Sequence, residues 1–549
     1  MDETIADDYG RSWHAAVAGA VPPRPALGHD LDVDVCVIGA GLAGLTTALE
    51  VARLGWSVAV LEARRIAWNA SSRNCGFVLP GYNCDEAVIV ERVGLLRARQ
   101  LWALSEAGVA YVRAVIEENA LDGVSPGRGW LDVHTTDDLS ELAETAALLR
   151  NEFGAAVETW PAGRVREVLR SESYFGALHV PGAFHVDPLA YALGLARVAE
   201  AAGVRIFEKT PAIEIDPAGV RKRIATPAAL VRAGHVVLAG NVQIGGLMPE
   251  LAATLMPITS TVVVTAPLGE RLREAVAWPG AVSDSRFANY HYRVVDGDRL
   301  LWCGEGSCFT PNTAKVAESL RDAIARTYPQ LGRPEIAAAW SGTMGFALHR
   351  MPQIGEVTPG LWLASGFGGH GLNTTALAGN LIAHAIVDGD DTWTAFEPWD
   401  LVWAGGLAGR VFQEVRGKIR NRRERVSAAM ARRRARKRVA AGQPPVPDET
   451  LVRGEMPVAA GGAVAETPAK NTPPAGTAER SNEPEPAFGP ALPSVSAEEV
   501  DSRRARTAEP SPEVAPAEPP ADQAVVPVPD PGRPRRPVRR RGKRRNRPH

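Results

Sequence analysis

The sequence predicts an α/β fold in which a parallel sheet wound with helices is interleaved with a smaller mixed-sheet α+β unit. A tail that cannot form a core follows. Three observations carry this. Residues 33–38 are a short, β-branched apolar run leading directly into Gly39, Gly41 and Gly44 and then into helical apolar spacing, the order strand, tight turn, helix. Far along the chain a second strand, 361–364, runs into a second glycine-rich turn and a second helix, 372–386. Between them lie strand-like alternation over 257–268 and two runs joined by Asp296-Gly297, a strong hairpin signal.

The first strand opens a Rossmann-like βαβ unit. Gly39 permits the tight turn, Gly41 lets backbone approach a pyrophosphate, and Gly44 lets the helix pack on the strand. Ala40, Leu42 and Ala43 complete a turn and helix start whose free N–H groups and positive dipole end suit phosphate. Residues 57–61 form the second strand. Glu62 at its end stands at the separation of about 20 residues expected for an acid that accepts from ribose hydroxyls. These features predict dinucleotide binding without choosing between FAD and NAD.

The choice rests on a resemblance. The segment EARRIAWNASSRNCGFV is similar to the stretch after the second strand in FAD-dependent amine and amino-acid oxidoreductases of the D-amino-acid oxidase and glycine oxidase type, above all the γ-glutamylputrescine oxidase branch. The match falls on Glu62, Ala63, Ala70, Ser71, Arg73, Asn74 and Gly76, with departures at Asn69, Ser72 and Cys75, where the family has glycine. The later turn, Gly366-Phe367-Gly368-Gly369-His370-Gly371 leading into Leu372, resembles the family's G-[YF]-S-G-H-G turn, and GHVVLAGN ending near Gly240 resembles the strand that closes the sheet beside the flavin. The resemblance implies FAD as cofactor, held at these positions, and a final helix aimed at the flavin. It covers about residues 12–426.

Composition sets outer bounds. A chain of 549 residues with 45% hydrophobic content has material for two or three units, almost all of it before about residue 440. The net charge of -2 is a cancellation between an acidic start and basic C-terminal segments, so it says nothing about partners. Five cysteines without metal-ligand spacing read as reduced thiols, and no metal site is expected. The acidic start lacks the order of a signal peptide, and no run approaches a membrane span; the expected location is cytoplasmic.

In chain order, residues 1–30 form an arm broken by Pro22, Pro23 and Pro25. A cofactor domain is assigned to 31–85, 155–240 and 341–400, and a substrate domain to 86–154 and 241–340. On the hairpin, Tyr290, Tyr292 and Arg293 are the candidate substrate contacts; alternation puts the tyrosines on one face and Arg293 on the other. With the tyrosine face toward the pocket, aromatic rings would line it and no arginine fork for a carboxylate would be present. His185 reads as packed or capped, and His349 stands where the resembling amino-acid oxidases carry an acid, LHRMP being more similar to the polyamine-derivative branch. His370 is the candidate catalytic residue, either orienting the turn or touching flavin or substrate.

Residues 401–442 read as a basic helix docking by an apolar stripe of Val411, Phe412, Val415 and Ile419, with attraction to an anionic surface as the other reading. Residues 443–549, rich in Pro, Ala, Glu and Ser, are expected to be disordered; their basic end could meet an anionic partner nonspecifically, without aromatic residues for specific nucleic-acid recognition.

No nucleophile elbow or paired catalytic carboxylate can be placed, as suits chemistry carried by a flavin. The function expected is FAD-dependent oxidation of a C–N bond in a small-molecule amine, including γ-glutamyl amines, with imine hydrolysis and reoxidation by oxygen or another acceptor. One alternative is an amino-acid dehydrogenase passing electrons to quinone at a membrane. Another is an inactive flavin-binding scaffold with an interaction tail.

Overall fold

The computed structural model describes Tyr9 and residues 12–285 and 290–446. The tail expected over 443–549 therefore lies, past residue 446, outside the described residues.

Strand Leu31–Ile38 occupies the middle of an eight-stranded sheet, pairing in parallel with Leu230–Leu238 on one side and Val58–Leu61 on the other. Arg205–Phe207 extends the parallel order at one end, and Leu361–Ser365 at the other. Gln353–Thr358 closes the far edge antiparallel. Val35, Cys36 and Val37 are wholly buried, because helices and loops cover both faces of a parallel sheet and leave no polar side. Helices Leu42–Arg53 and Gly371–Asp388 cross so closely that a Cβ at Gly379 would sit 2.6 Å from the Thr46 side chain. The two glycine turns, remote in sequence, are thus brought to one end of one sheet.

The second sheet has nine strands, ordered Ile336–Phe346, Met256–Thr265, Arg299–Ser307, His291–Val295, Ala281–Asp284, Gly127–His134, Gly176–His185 and Phe77–Val78, with Glu158–Pro161 also paired to Gly176–His185. Ala281–Asp284 runs parallel to Gly127–His134 while the other pairings are antiparallel, so the sheet is mixed. The hairpin turn falls where the sequence puts it: Asp296 and Gly297 have φ of 51° and 74°, and Val295 pairs with Arg299. Sheet membership departs from the expected division: Phe77–Val78, Glu158–Pro161, Gly176–His185 and the 341–346 end of Ile336–Phe346, grouped above with the cofactor domain, hydrogen-bond into the second sheet.

One face of this sheet packs on helix Thr313–Thr327 through Tyr292, Trp302, Leu320, Ile324 and Tyr328. The opposite face looks into a cavity shared with the parallel sheet.

The basic helix forms over Gly406–Ala440, but its docking differs from expectation. Val411, Phe412, Val415 and Ile419 are about half exposed, whereas Ala428, Ala431 and Ala435 are buried, Ala431 and Ala435 in a cluster with Leu142, Ala146 and Leu149. Alanines allow close approach of the helix, and ion pairs fix its register: Arg434 clasps Asp137, and Arg436 meets Glu172 at 2.9 Å. Nearer its start, Glu414 accepts from the Ser307 hydroxyl and the Cys308 N–H.

Candidate active site

The glycine turn is built as its sequence requires. Gly39 has φ of 106°, and a Cβ there would lie 2.9 Å from the Ala239 carbonyl oxygen. A Cβ on Gly44 would come within 2.0 Å of the Gly39 carbonyl oxygen, so only glycine lets the helix settle on the strand. The Gly41 position faces open space apart from Ser71 Oγ, which would be 3.0 Å from a Cβ and accepts from the Leu42 N–H at 3.1 Å. Glu62 accepts from the N–H groups of Ala40 and Arg64 at 2.9 and 2.8 Å, and burial pushes its carboxyl pKa up despite these two bonds.

A cavity of about 1940 Å³ extends from this turn across to the second sheet. It exceeds the roughly 300–1,000 Å³ of ordinary small-molecule sites, leaving space for a dinucleotide and a second molecule. Of the expected cofactor residues, Gly39, Gly41, Leu42, Ala43, Glu62, Ala63, Arg73, Asn74, Gly240, Gly368, Gly369, His370, Gly371 and Leu372 line it. Ala40, Gly44, Gly76 and Gly366 do not, and act behind the wall. Gly76 (φ 81°) is pressed against Val186, whose oxygen would be 1.8 Å from a Cβ. Asn74 braces this bend, its Oδ1 accepting from the Gly76 N–H at 2.7 Å.

A dinucleotide suits the groups left over. Arg73 Nε, Asn241 Oδ1 and His370 Nδ1 are buried without a hydrogen-bond partner, and all three residues line the cavity. Orphans of both donor and acceptor type call for a ligand with a polar edge, as a flavin ring has. The guanidinium groups of Arg64 and Arg73 lie over the Trp68 ring, 4.0 and 4.6 Å from its centroid, adding cationic character to this wall. Helix Gly371–Asp388 starts in the wall with no side-chain cap, so its positive end faces the same space.

The second sheet presents Trp130, Asp132, His134, Ser283, His291 and Cys303. Trp130 Nε1 donates to Ser283 Oγ at 2.8 Å, and Ser283 Oγ lies 2.8 Å from His291 Nδ1. Ser283 Oγ thus links the Trp130 N–H to His291 Nδ1 and holds the imidazole by that one nitrogen. Burial holds both His291 and His370 neutral, each lowered to about 4, the positive charge of one further opposing that of the other at His370. Asp132 is pushed up to about 7 by burial first and then by Asp284, Glu141 and Glu86; burial also lifts Glu86 to about 7.

The three expected substrate contacts require correction, since none lines the cavity. Tyr292 is fully buried on the opposite face, stacked on Trp302 at 4.3 Å, with its hydroxyl 2.9 Å from that of Tyr174 and 2.8 Å from that of Tyr328. Tyr290 packs beside it, 5.5 Å from Trp302. Arg293 does share the cavity-side face but spends its guanidinium on protein, donating to the carbonyls of Cys75 at 2.8 Å and Val186 at 3.0 Å. The residue between the two tyrosines, His291, is the one that reaches the cavity. Alternation held; the choice of face was inverted. Cys75, one of the departures from the family pattern, is buried in the cavity wall, and burial and Cys303 keep its thiol well above the usual range.

Among the described residues no group of His, Cys, Asp or Glu is arranged to hold a metal ion, and no helix is long and apolar enough to cross a membrane.

Comparison with known proteins agrees with this geometry. Residues 34–385 match the DAO family, described as FAD dependent oxidoreductase. The chain is 32% identical over 395 residues to gamma-glutamylputrescine oxidoreductase of Escherichia coli (strain K12), a match spanning 71% of this chain and 92% of that protein. It is 29% identical over 408 residues to the probable oxidoreductase OrdL of Haemophilus influenzae, spanning 72% and 92%. In fold, it superposes on the crystal structure of glycine oxidase from Geobacillus kaustophilus with a TM-score of 0.57 at 22% identity, over 68% of this chain and 99% of that one. The chain belongs to the DAO family of FAD-dependent oxidoreductases, enzymes that act on amines or amino acids.

Proposed function

We propose that this enzyme oxidises the C–N bond of an amine carrying a carboxylate at a distance from the reacting nitrogen, a γ-glutamyl amine being the type. The observation that carries the reading is the division of charge around the cavity. The cavity is lined by Asp132 and Glu86 beside Trp102 and Trp130, with the solvent-exposed Glu141 and Glu144, while Lys315, Lys418, Arg420, Arg422 and Arg425 line it from the helices Thr313–Thr327 and Gly406–Ala440. An ammonium group is favoured among the carboxylates, which its charge would keep ionised. A remote carboxylate is favoured by the arginines. A simple α-amino acid carries both charged groups on one carbon and cannot use the two regions together. The relative in Escherichia coli, by its name an oxidoreductase of γ-glutamylputrescine, adds support.

FAD, when bound, would supply the hydride acceptor for the C–H bond next to nitrogen, once the ammonium has given a proton to a wall carboxylate such as Asp132 and regained its lone pair. This chain's own residues position and desolvate the substrate. Two neutral imidazoles, His291 and His370, border the reaction space without adding charge, and His291, held through Nδ1 by Ser283, offers its other ring nitrogen to substrate or flavin. His370 thus remains the candidate catalytic residue, joined by His291, which the sequence reading passed over.

The test is anaerobic reduction of the flavin absorbance by γ-glutamylputrescine, putrescine, glycine and alanine. Reduction fastest with the γ-glutamyl amine supports the reading; equal or faster reduction by glycine or alanine contradicts it. Admitting air, or a quinone, to the reduced enzyme then identifies the acceptor.

A further inference from the structure

The helix Gly406–Ala440 lies wholly beyond the family match, which ends at residue 385, and it has two faces with different fates. One carries Ala428, Ala431 and Ala435 into the body of the protein. The other carries Val411, Phe412, Val415, Ile419, Val426 and Met430 outward, each between 47% and 63% exposed. Their spacing of four and seven residues keeps them on one stripe. The concentration is local: of the 17 large hydrophobic residues exposed among the described residues, 11 fall between residues 401 and 439, so this is a patch and not the ordinary scatter of surface side chains.

Charge surrounds the patch. Residues 406–440 contain 13 Arg and Lys against 2 Glu, far more cations than the helix's own carboxylates can neutralise. Arg416 and Arg423 stand beside the apolar positions, with long stems that can lie along an apolar layer while their heads reach its polar boundary. Trp403, 65% exposed, precedes the helix start. With 35 residues at about 1.5 Å each, the helix offers a straight edge of roughly 50 Å.

We propose that this outward face docks the enzyme on the surface of an anionic lipid bilayer. An apolar stripe flanked by arginines, with an exposed tryptophan at one end, matches the boundary between acyl chains and anionic headgroups. A nucleic acid would meet the cations but leave the apolar stripe against phosphate and water. A second copy would oppose one strongly positive helix to another. The helix lies on the surface and does not cross the bilayer, since no described helix is apolar enough for that.

The experiment uses the full-length, flavin-loaded protein and its co-sedimentation with vesicles of phosphatidylcholine, with or without phosphatidylglycerol. Binding is expected to the mixed vesicles, to be weakened by salt, and to fall by about tenfold or more in the triple variant Phe412→Glu, Val415→Glu, Ile419→Glu. Replacing the same three residues by leucine should retain it. Because these side chains are exposed and do not line the cavity, flavin absorbance reports that each variant is folded. The basic C-terminal end is present in every protein compared, so a difference between them belongs to the helix. Equal vesicle binding by wild type and the glutamate variant would overturn the proposal. So would absence of vesicle binding together with retention on duplex DNA or polyglutamate that survives the triple substitution.

Discussion

The two walls of the cavity are made by different means. On the parallel-sheet side, backbone does most of the work: Gly39 and Gly44 are placed where a Cβ would strike a carbonyl, and two helix N-termini without side-chain bonds from their N-cap residues border the cavity. On the mixed-sheet side, selected side chains project from strands whose neighbours turn the other way. A backbone-made wall is written in glycine positions and can be read from spacing alone. A side-chain wall depends on which face of a strand meets which layer, and that is decided by packing far away in the chain.

The sharpest way to break this contrast is at Gly41. Gly41→Val would put a branched side chain beside Ser71 Oγ and into the approach to the pyrophosphate, so FAD should be lost entirely while the apoprotein folds. Purified variant with full flavin absorbance would remove the turn from the cofactor site.

On the other wall, Arg293→Ala tests whether that residue is structural. It strips three hydrogen bonds from a buried guanidinium, those to the Cys75 and Val186 carbonyls and that with His185 Nδ1, and should lower unfolding stability by about 3 kcal/mol. Denaturant titration measures this. Where the variant folds, KM for an amine should stay near wild type; a large rise in KM at unchanged stability would return Arg293 to the pocket.

Tyr292→Phe should have a smaller effect, about 1 kcal/mol, from loss of the middle hydroxyl in the Tyr174, Tyr292 and Tyr328 chain, with no change in flavin reduction. Smaller still, Cys75→Ser should leave the cofactor's mode of attachment unchanged. Burial keeps the thiol protonated, and acid precipitation should release FAD from both proteins. Flavin that stays with precipitated wild type but not with the variant would contradict this.

How much of the molecule was legible follows the same division. Gly39, Gly41, Gly44 and Glu62 identified the first strand, turn and helix, and the turn around His370 identified the second; neither needed tertiary knowledge, because each residue is constrained by its own neighbours. The hairpin at Asp296-Gly297 was legible for the same reason. Tyr290, Tyr292 and Arg293 were misplaced because alternation defines two faces without naming the one that looks inward. A cue was present: Tyr292 lies across from Trp302, and a face bearing such large rings was the better candidate for core. The helix Gly406–Ala440 misled similarly. Its most apolar stripe was expected to dock, yet alanines do so, since a close approach rewards small side chains.

The proposed function turns most directly on Asp132 receiving an ammonium on the side-chain wall, and a pH profile compared between wild type and an Asp132 variant tests that carboxyl, because Glu86, also raised to about 7, titrates in both. Raised from 3.8 to about 7, it is neutral below that range and ionised above it. Affinity for a cationic amine should therefore improve as pH rises through 7. The same ionisation costs the empty folded protein stability between the unfolded and folded pKa values, from 3.8 to about 7. Asp132→Asn should raise KM for the amine by about tenfold at pH 8, the equivalent of one lost charge contact of roughly 1.4 kcal/mol, while making the apoenzyme no less stable. The measurement is KM for a γ-glutamyl amine from pH 6 to about 8.5 in both proteins. KM is expected to fall more steeply with pH in wild type than in Asp132→Asn, where Glu86 still titrates; an identical fall in the two would contradict Asp132 as the partner of the ammonium.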